Sequence, residues 1–259
     1  MKLNNIFLSL AMAATLAACD EVDEADRFIQ LPDVKSERTV LLEDFTGQYC
    51  TNCPEAHRLI ASLQEQYGEN VIAVAIHAGS FGILEGSVSA LTGLMQPEGN
   101  EYAKKAGVES YPAGVFNRNT NPLSHTEWAG AVRSEIERAS YLNIQLSAAI
   151  EDGQIVISSE CQPLKDIDGK LQIWVTESGI AALQVDNGKY LMDYVHNHVY
   201  RASVNGTWGE NVNLKANVFS DFNHKIALRE NWNAENLSVV AFVYNEAEGV
   251  YQAAECKVK

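Results

Sequence analysis

"EDFTGQYCTNCPEAH", residues 43–57, places two residues between Cys50 and Cys53, with Pro54 directly after the second cysteine. The apolar run "TVLLEDF" predicts a buried strand before the pair, and apolar residues at three- and four-residue intervals up to Tyr67 predict a helix. The start of a helix presents free N–H groups and a positive potential, which stabilise a thiolate. The pattern therefore indicates a redox dithiol in which Cys50 attacks and Cys53 resolves the mixed disulfide.

Two other uses of a C-x-x-C pair compete with the redox interpretation, a zinc site and a permanent structural disulfide. Structural zinc normally needs a second pair of cysteine or histidine ligands, and the sequence offers none nearby in the same half of the chain. We therefore expect no metal at the pair. The permanent disulfide stays open, because a dedicated electron donor can recycle a dithiol in the periplasm but not outside the cell.

The residues after this helix continue an α/β pattern. "NVIAVAIHAG", residues 70–79, is a continuous apolar run typical of a parallel strand covered on both faces. Pro112 in "ESYPAGVFNR" precedes another short strand, and "HTEWAGAVRSEIERAS" has the apolar spacing of a helix. The section at residues 80–100 is less readable, and its role stays open. We place the first domain at residues 39–141.

This order of elements resembles the thioredoxin fold. The resemblance implies that Asp44, six residues before Cys50, is the buried acid that assists proton transfer at the second cysteine. It also implies that Pro112 is a cis-proline that faces the dithiol and holds an extended substrate chain. Tyr49 and Tyr111 stand directly before Cys50 and Pro112 and are candidate modulators of the site. Because thioredoxins carry tryptophan where this chain has Tyr49, the resemblance implies no redox potential.

Histidines near the pair offer a second kind of chemistry. His57 lies four residues after Cys53, and His77 ends the second predicted strand. Either could tune the thiolate or complete a copper site, although a single histidine of this kind more often borders a helix face or caps a strand. "VHNHV" puts His196 and His198 two residues apart on one face of a predicted strand, a spacing that suits a metal but more often marks a polar sheet face.

After residue 141 the pattern changes to alternation of apolar and polar residues. Closely spaced strands with Gly, Asn and Asp turns predict an antiparallel β-sandwich at residues 142–259, so the expected fold class is α/β followed by all-β. Cys161 and Cys256 share the parity of inward-facing apolar residues and are expected in its core. They could form a structural disulfide, which would contribute about 4–5 kcal/mol in the chain-entropy model, or remain two buried thiols.

The N-terminus reads "MKLNNIFLSLAMAATLAAC", a lysine, an apolar run and small residues before Cys19. The apolar run is too short to span a membrane and is typical of a signal peptide, here residues 1–18. The pattern resembles a bacterial lipobox, which implies that Cys19 is lipidated and holds the mature protein to a membrane. The acidic run that follows predicts a flexible tether at residues 19–38.

Overall charge excludes several classes of function. The chain carries 19 Lys and Arg against 34 Asp and Glu, a formal net charge of -15. A field of this sign repels phosphate backbones, so we expect no nucleic-acid partner. The sequence also lacks a nucleophile elbow, a phosphate loop and a paired-carboxylate signature, so no hydrolase or nucleotide enzyme is supported and no cofactor is expected.

The string at residues 43–57 also resembles a family of lipid-anchored outer-membrane proteins of about this chain's size from Gram-negative anaerobes. The resemblance implies an outer-membrane location, on the periplasmic or the cell-surface face, and no agreed substrate. We expect thiol–disulfide exchange on exported proteins, with the sandwich presenting or recruiting the partner. The alternative is a surface binding or adhesion lipoprotein that keeps Cys50 and Cys53 as a structural disulfide.

Overall fold

Strands dominate residues 38–259, the part of the chain that this computed structural model describes. Three α-helices lie in its first half: α1 (Cys53–Tyr67), α2 (Pro97–Ala106) and α3 (Trp128–Ile136). The strands of that half are β1 (Val40–Thr46), β2 (Val71–His77) and β3 (Ala113–Phe116). Further strands follow: β4 (Leu142–Glu151), β5 (Gln154–Pro163), β6 (Ile167–Glu177), β7 (Ile180–Asp186), β8 (Lys189–His196), β9 (Val199–Ser203), β10 (Glu210–Leu214), β11 (Ser220–Ala227), β12 (Leu237–Asn245) and β13 (Gly249–Lys257). The β-rich second half is confirmed.

Several sequence predictions concern residues outside the described range. The signal peptide at residues 1–18, the lipidation site Cys19 and nearly all of the tether at residues 19–38 lie there. Within residues 38–259, no helix is long and apolar enough to cross a membrane.

One large sheet contains strands from both sides of the predicted domain boundary. Its order is β13-β12-β6-β9-β2-β1-β3, and β10 also pairs with β6. The predicted boundary after residue 141 falls between α3 and β4, but β2 pairs in parallel with β9 through Ala75 and Val199. The two predicted domains therefore share this sheet, while β11-β5-β4 and the hairpin β7-β8 form smaller sheets of their own.

The segment β1-α1-β2 follows the local sequence pattern closely. Every residue of β1 and β2 is buried, as expected for parallel strands covered on both faces. Helix α1 begins at Cys53, accommodates Pro54 in its first turn, and buries Ala56, Ile60 and Leu63 on one face. It ends at Gly68, whose positive φ suits glycine.

Alternation along β1 decides which side chains can meet the C-x-x-C helix. Leu42 packs with α1 and α3, whereas Leu41 and Phe45 pack with α2 on the opposite face of the sheet. Because successive residues of a strand point to opposite faces, Asp44 shares the face of Leu42. The acid therefore lies beneath the helix that carries Cys53.

The strands β4, β5 and β11 pack face to face against the other end of the large sheet. Inward-facing apolar residues of β4 and β5 meet those of β6, β10, β12 and β13 in one continuous core. Alternating burial along β11, in which every second residue is exposed, agrees with one covered and one solvated face. This second core lies away from the C-x-x-C motif and supports the sheet that carries it.

The disulfide considered for Cys161 and Cys256 is absent from the structure. Cys161 is fully buried and Cys256 half-buried against the same core, and both are free thiols. They lie in different sheets, Cys161 opposite Ser220 and Cys256 opposite Val239. Facing one core does not bring two sulfurs to bonding geometry. Burial raises the pKa of Cys161 to about 12 and that of Cys256 to about 11, which keeps both protonated.

The expectation that His196 and His198 share one strand face is wrong. Strand β8 ends at His196, and His198 lies in the following turn with a φ of 56°. The chain reverses in this turn, and β9 then pairs in parallel with β2. The two rings therefore have different surroundings.

Candidate functional site

Cys50 and Cys53 form a disulfide at the start of α1. Their Cα atoms are 5.4 Å apart, and the amide of Cys50 donates to the carbonyl of Gly47 at 3.0 Å, which closes the turn between β1 and the helix. Both cysteines are buried, Cys50 with 2% and Cys53 with 0% of its surface exposed. The motif is thus oxidised and has little contact with solvent.

The hairpin β7-β8 covers the disulfide loop. The side-chain amide of Gln184 donates to the carbonyl of Cys50 at 2.9 Å, and Gln184 itself is fully buried. The amide of Val185 donates to the carbonyl of Gln48 at 2.8 Å, and the amide of Gly188 donates to the hydroxyl of Thr51 at 3.1 Å. A segment more than 130 residues away in sequence therefore closes one side of the site.

The section at residues 80–100, whose role the sequence left open, contacts the other side of the loop. The amide of Tyr49 donates to the carbonyl of Phe81 at 2.9 Å, and the Phe81 and Tyr111 rings lie 5.5 Å apart. A β-carbon on Gly47 would come within 2.6 Å of the Phe81 backbone, so glycine permits this close approach. Gln48 accepts from the amide of Leu94 at 3.0 Å and adds a second anchor.

Pro112 borders a cavity that the C-x-x-C motif also lines. The Tyr111–Pro112 peptide bond is cis, as the resemblance implies. The cavity holds about 210 Å³ and is lined by Asn52, Ser110, Tyr111, Pro112, Ala113, Pro122, Leu123, Ser124 and His125. Asn52, which lies between the two cysteines in sequence, is the residue of the motif that lines it, and neither cysteine does. The hairpin residues are not among those that line it.

Asp44 is fully buried beneath α1. Neither carboxyl oxygen has a hydrogen-bond partner among the described residues, and Oδ2 lies 3.7 Å from Nε2 of His57. Burial raises the pKa of Asp44 to about 8, because an isolated charge in this position would lose its hydration. The group is therefore largely protonated at neutral pH and can both give and take a proton near it.

His57 connects the buried acid to the hairpin. Its Nε2 lies 3.0 Å from the hydroxyl of Thr46, and its Nδ1 lies 3.0 Å from the hydroxyl of Tyr194. Burial lowers the pKa of His57 to about 3, so the ring is neutral at physiological pH. A cavity of about 180 Å³ lies beside these groups and is lined by Asp44, Tyr194 and His196 among others.

His77 belongs to the same cluster through ring contacts. It is buried, its ring centroid lies 5.4 Å from that of His196, and neither ring nitrogen has a partner among the described residues. Burial lowers its pKa well below the ordinary value. Across residues 38–259, no group of three His, Cys, Asp or Glu side chains has an arrangement that could hold a metal ion.

Sequence reasoning missed Gln184 and Tyr194. The turn "DNG" before β8 is a hairpin signal, but no local pattern says where a hairpin packs. Gln184 alone carried a hint, since it is a polar residue in the apolar run "IAALQV". The structure brings Cys50, Cys53, Asp44, Pro112, His57, His77, Tyr49 and Tyr111 to one region, and it adds these two hairpin residues.

Comparisons with known proteins give a family and a fold. The family model described as "Outer membrane protein Omp28" matches residues 99–259, more than half of the chain. This finding confirms the outer-membrane family expected from the sequence. No curated protein matches the chain closely enough to count as a relative.

Three solved structures are similar to the chain to different degrees. HBP35 of Porphyromonas gingivalis has 16% identity and a TM-score of 0.69 over 86% of this chain and 76% of its own. A protein from Agrobacterium tumefaciens has 14% identity and a TM-score of 0.52 over 83% of this chain and 92% of its own. A domain of the outer membrane lipoprotein Omp28 from Porphyromonas gingivalis has 23% identity over 46% of this chain and 89% of its own, with a TM-score of 0.34. The first two share the fold, and the third carries no structural argument.

Proposed function

The chain belongs to the Omp28 family of outer membrane proteins and lies at the outer membrane. We propose that it exchanges disulfides with other exported proteins. The site is thioredoxin-like in this proposal, with Cys50 as attacking sulfur and Cys53 as resolving sulfur. Cys19 carries the lipid anchor, and the acidic residues after it form the tether. The direction of electron flow depends on the reduction potential of the pair relative to that of the partner.

The observation that carries the proposal is the cavity that Asn52 of the C-x-x-C motif shares with Pro112. An extended polypeptide could bind in this cavity, which no hairpin residue lines, and would reach the sulfur of Cys50 once the loop or the hairpin opens. The order of β1, α1, β2 and β3, with β3 antiparallel to β1, supports the thioredoxin-like interpretation.

In the oxidising direction, a thiolate of the partner attacks the sulfur of Cys50 and forms a mixed disulfide. Cys53 leaves as a thiolate and takes a proton, for which Asp44 is the proposed donor. A second partner thiolate then attacks its own mixed-disulfide sulfur and releases Cys50. Two electrons pass from the partner's dithiol to the protein, and the partner leaves with a new disulfide.

A second candidate function has a specific observation in its favour. Only 2% of Cys50 is exposed, and Gln184 hydrogen-bonds the carbonyl of this residue. A structural disulfide would be held in this way, and the chain would then be a non-catalytic surface binding or adhesion lipoprotein. Exchange with a partner requires the hairpin or the loop to open first.

Trapping in cells separates these two functions. Cys53→Ser leaves Cys50 able to form a mixed disulfide that nothing resolves, so partners accumulate on the variant. We expect exported proteins bound through Cys50 and released by reductant. The matched control is the double variant with Cys50→Ser and Cys53→Ser, which keeps the free thiols of Cys161 and Cys256. Equal recovery from both variants contradicts exchange.

A further inference from the structure

The burial of Asp44 separates it from solvent, with which it must exchange protons in the proposed function. The proposed exchange requires this acid to gain and lose a proton in each cycle, yet none of its surface is exposed and its oxygens lack hydrogen-bond partners. In the resting disulfide form it holds a proton at neutral pH, because burial raises its pKa to about 8. Reduction of the disulfide passes this proton to Cys53, and at a pH below this value Asp44 takes up another from solvent. That second proton must leave before Asp44 can accept the proton of the Cys53 thiol again.

We propose that His57 and Tyr194 form the path by which this proton moves between Asp44 and solvent. The inference rests on the proposed function and names two positioning residues for it. His57 comes from α1, and Tyr194 comes from the hairpin that covers the loop. The hairpin thus completes the proton chemistry of the site as well as covering its sulfurs.

Distances and exposure support a path in this order. Oδ2 of Asp44 lies 3.7 Å from Nε2 of His57, and Nδ1 of the same ring lies 3.0 Å from the hydroxyl of Tyr194. Exposure rises along the path, from 0% for the Asp44 side chain to 17% for His57 and to a partly exposed Tyr194. The first gap is longer than a hydrogen bond, so the imidazole must move toward Asp44 for the proton to pass.

The chemistry of a neutral imidazole suits this position. The ring carries one proton, so one nitrogen accepts while the other donates. Burial lowers the pKa of His57 to about 3, which leaves an accepting lone pair available at neutral pH. As a proton from Asp44 enters Nε2, the proton on Nδ1 passes to Tyr194 and the adjoining cavity. Thr46, 3.0 Å from Nε2, holds the ring orientation between transfers.

Charged and titratable groups surround His57 from every packed element. They are Asp44 of β1, His77 of β2, Arg58 of α1, Tyr194 and His196 of β8, and His198 of the following turn. Arg58 lies 3.6 Å from Asp186, which offsets its charge. Both neighbouring histidines on the hairpin side have pKa values lowered to about 4, so they are neutral where exchange is measured.

A small disulfide such as oxidised glutathione oxidises the dithiol in two successive attacks. The Cys50 thiolate attacks oxidised glutathione and releases one glutathione thiolate. Asp44 has meanwhile lost its proton through His57 and Tyr194, and it takes the proton of the Cys53 thiol. The Cys53 sulfur then attacks the mixed disulfide, releases the second glutathione thiolate and closes the bond with Cys50.

The competing interpretation is that His57 only fastens the hairpin to α1. Both interpretations predict some loss of stability when the ring is removed, so stability cannot separate them. A proton path also predicts a pH-dependent loss of rate and recovery by an added proton carrier. A structural link predicts neither.

The test follows oxidation of the reduced full chain by oxidised glutathione from pH 6 to pH 9.5. We expect His57→Gln to slow closure of the disulfide about tenfold or more below pH 8 and Tyr194→Phe to slow it by a smaller factor. Above pH 8 the difference in closure rate between these variants and the unsubstituted protein becomes smaller, because Asp44 is then already ionised. Tyr190→Phe on the same strand and His224→Gln in the sandwich are matched controls that keep the unsubstituted rate.

His57→Ala adds a second readout, since free imidazole can enter the enlarged cavity. Recovery of the rate with added imidazole supports the path. If the closure rates of His57→Gln and Tyr194→Phe depend on pH as in the unsubstituted protein, the proton path is contradicted. It is also contradicted if the rate falls equally at all pH values and added imidazole does not restore it. If the unsubstituted protein does not exchange with glutathione at all, both the proposed function and the proton path are contradicted.

Discussion

Asp44 shows at the scale of one residue how a protein can hold a carboxyl group in an unfavourable place. Its strand position turns it beneath α1, where its side chain is fully buried and its oxygens have no hydrogen bond among the described residues. The group avoids the cost of a buried charge by keeping its proton, and the pKa rises to about 8. A polar residue of this kind reduces stability, and the proposed exchange gives a reason for it.

The first prediction concerns pH and stability. In the unfolded chain Asp44 ionises near its ordinary pKa of about 3.9, whereas in the folded chain it stays protonated up to about pH 8. The unfolded state therefore binds fewer protons between these values, and the stability contribution of Asp44 falls as pH rises through this window, by at most about 1.4 kcal/mol per pH unit.

Asp44→Asn removes this effect. The free energy of unfolding of the variant, relative to that of the unsubstituted protein, should therefore be higher at pH 8 than at pH 5. Denaturant unfolding at both pH values, with the disulfide intact, measures the difference. Asp221→Asn, at an exposed position on β11, is the matched control. Parallel stability curves for Asp44→Asn and the unsubstituted protein would show that the acid is not protonated in the fold.

At the scale of elements, local patterns account for the segment β1-α1-β2 and not for the hairpin. The helix follows from its 3.6-residue spacing and its flanking Pro54 and Gly68, which are short-range features. The contact of Gln184 with Cys50 joins residues 134 positions apart, and no local pattern encodes it. The same limit explains why the parity of Cys161 and Cys256 was informative about burial but not about bonding.

The hairpin gives a prediction about access to the disulfide. Gln184→Ala removes a buried side-chain amide that donates to the Cys50 carbonyl, a loss of about 1–3 kcal/mol. Because each 1.4 kcal/mol is about a factor of ten, we expect about tenfold faster reduction of the disulfide by dithiothreitol. Gln154→Ala at the exposed start of β5 is the matched control.

The reduction rate and the stability must be read together in this experiment. Faster reduction at denaturant-free conditions, with folding still complete, shows that the hairpin limits access. A destabilised Gln184→Ala variant with an unchanged reduction rate would mean that the sulfurs are reached by another route.

At the scale of the whole molecule, the shared sheet explains why the hairpin reaches the site. Strand β9 pairs with β2, next to β1, and the amide of Ala75 donates to the carbonyl of His198 at 2.8 Å. The hairpin β7-β8 directly precedes β9, so this pairing brings it over the loop that follows β1. The two predicted halves thus cooperate in one site at the outer membrane.

The reduction potential of the Cys50–Cys53 pair tests the proposed exchange most directly. It is measured by equilibrating the full chain in defined thiol–disulfide buffers and counting the alkylated cysteines of the motif. An exchange protein should have a potential between about -270 and -120 mV, the range of known dithiol exchange proteins. A potential below about -300 mV would mark a permanent structural disulfide and contradict the account.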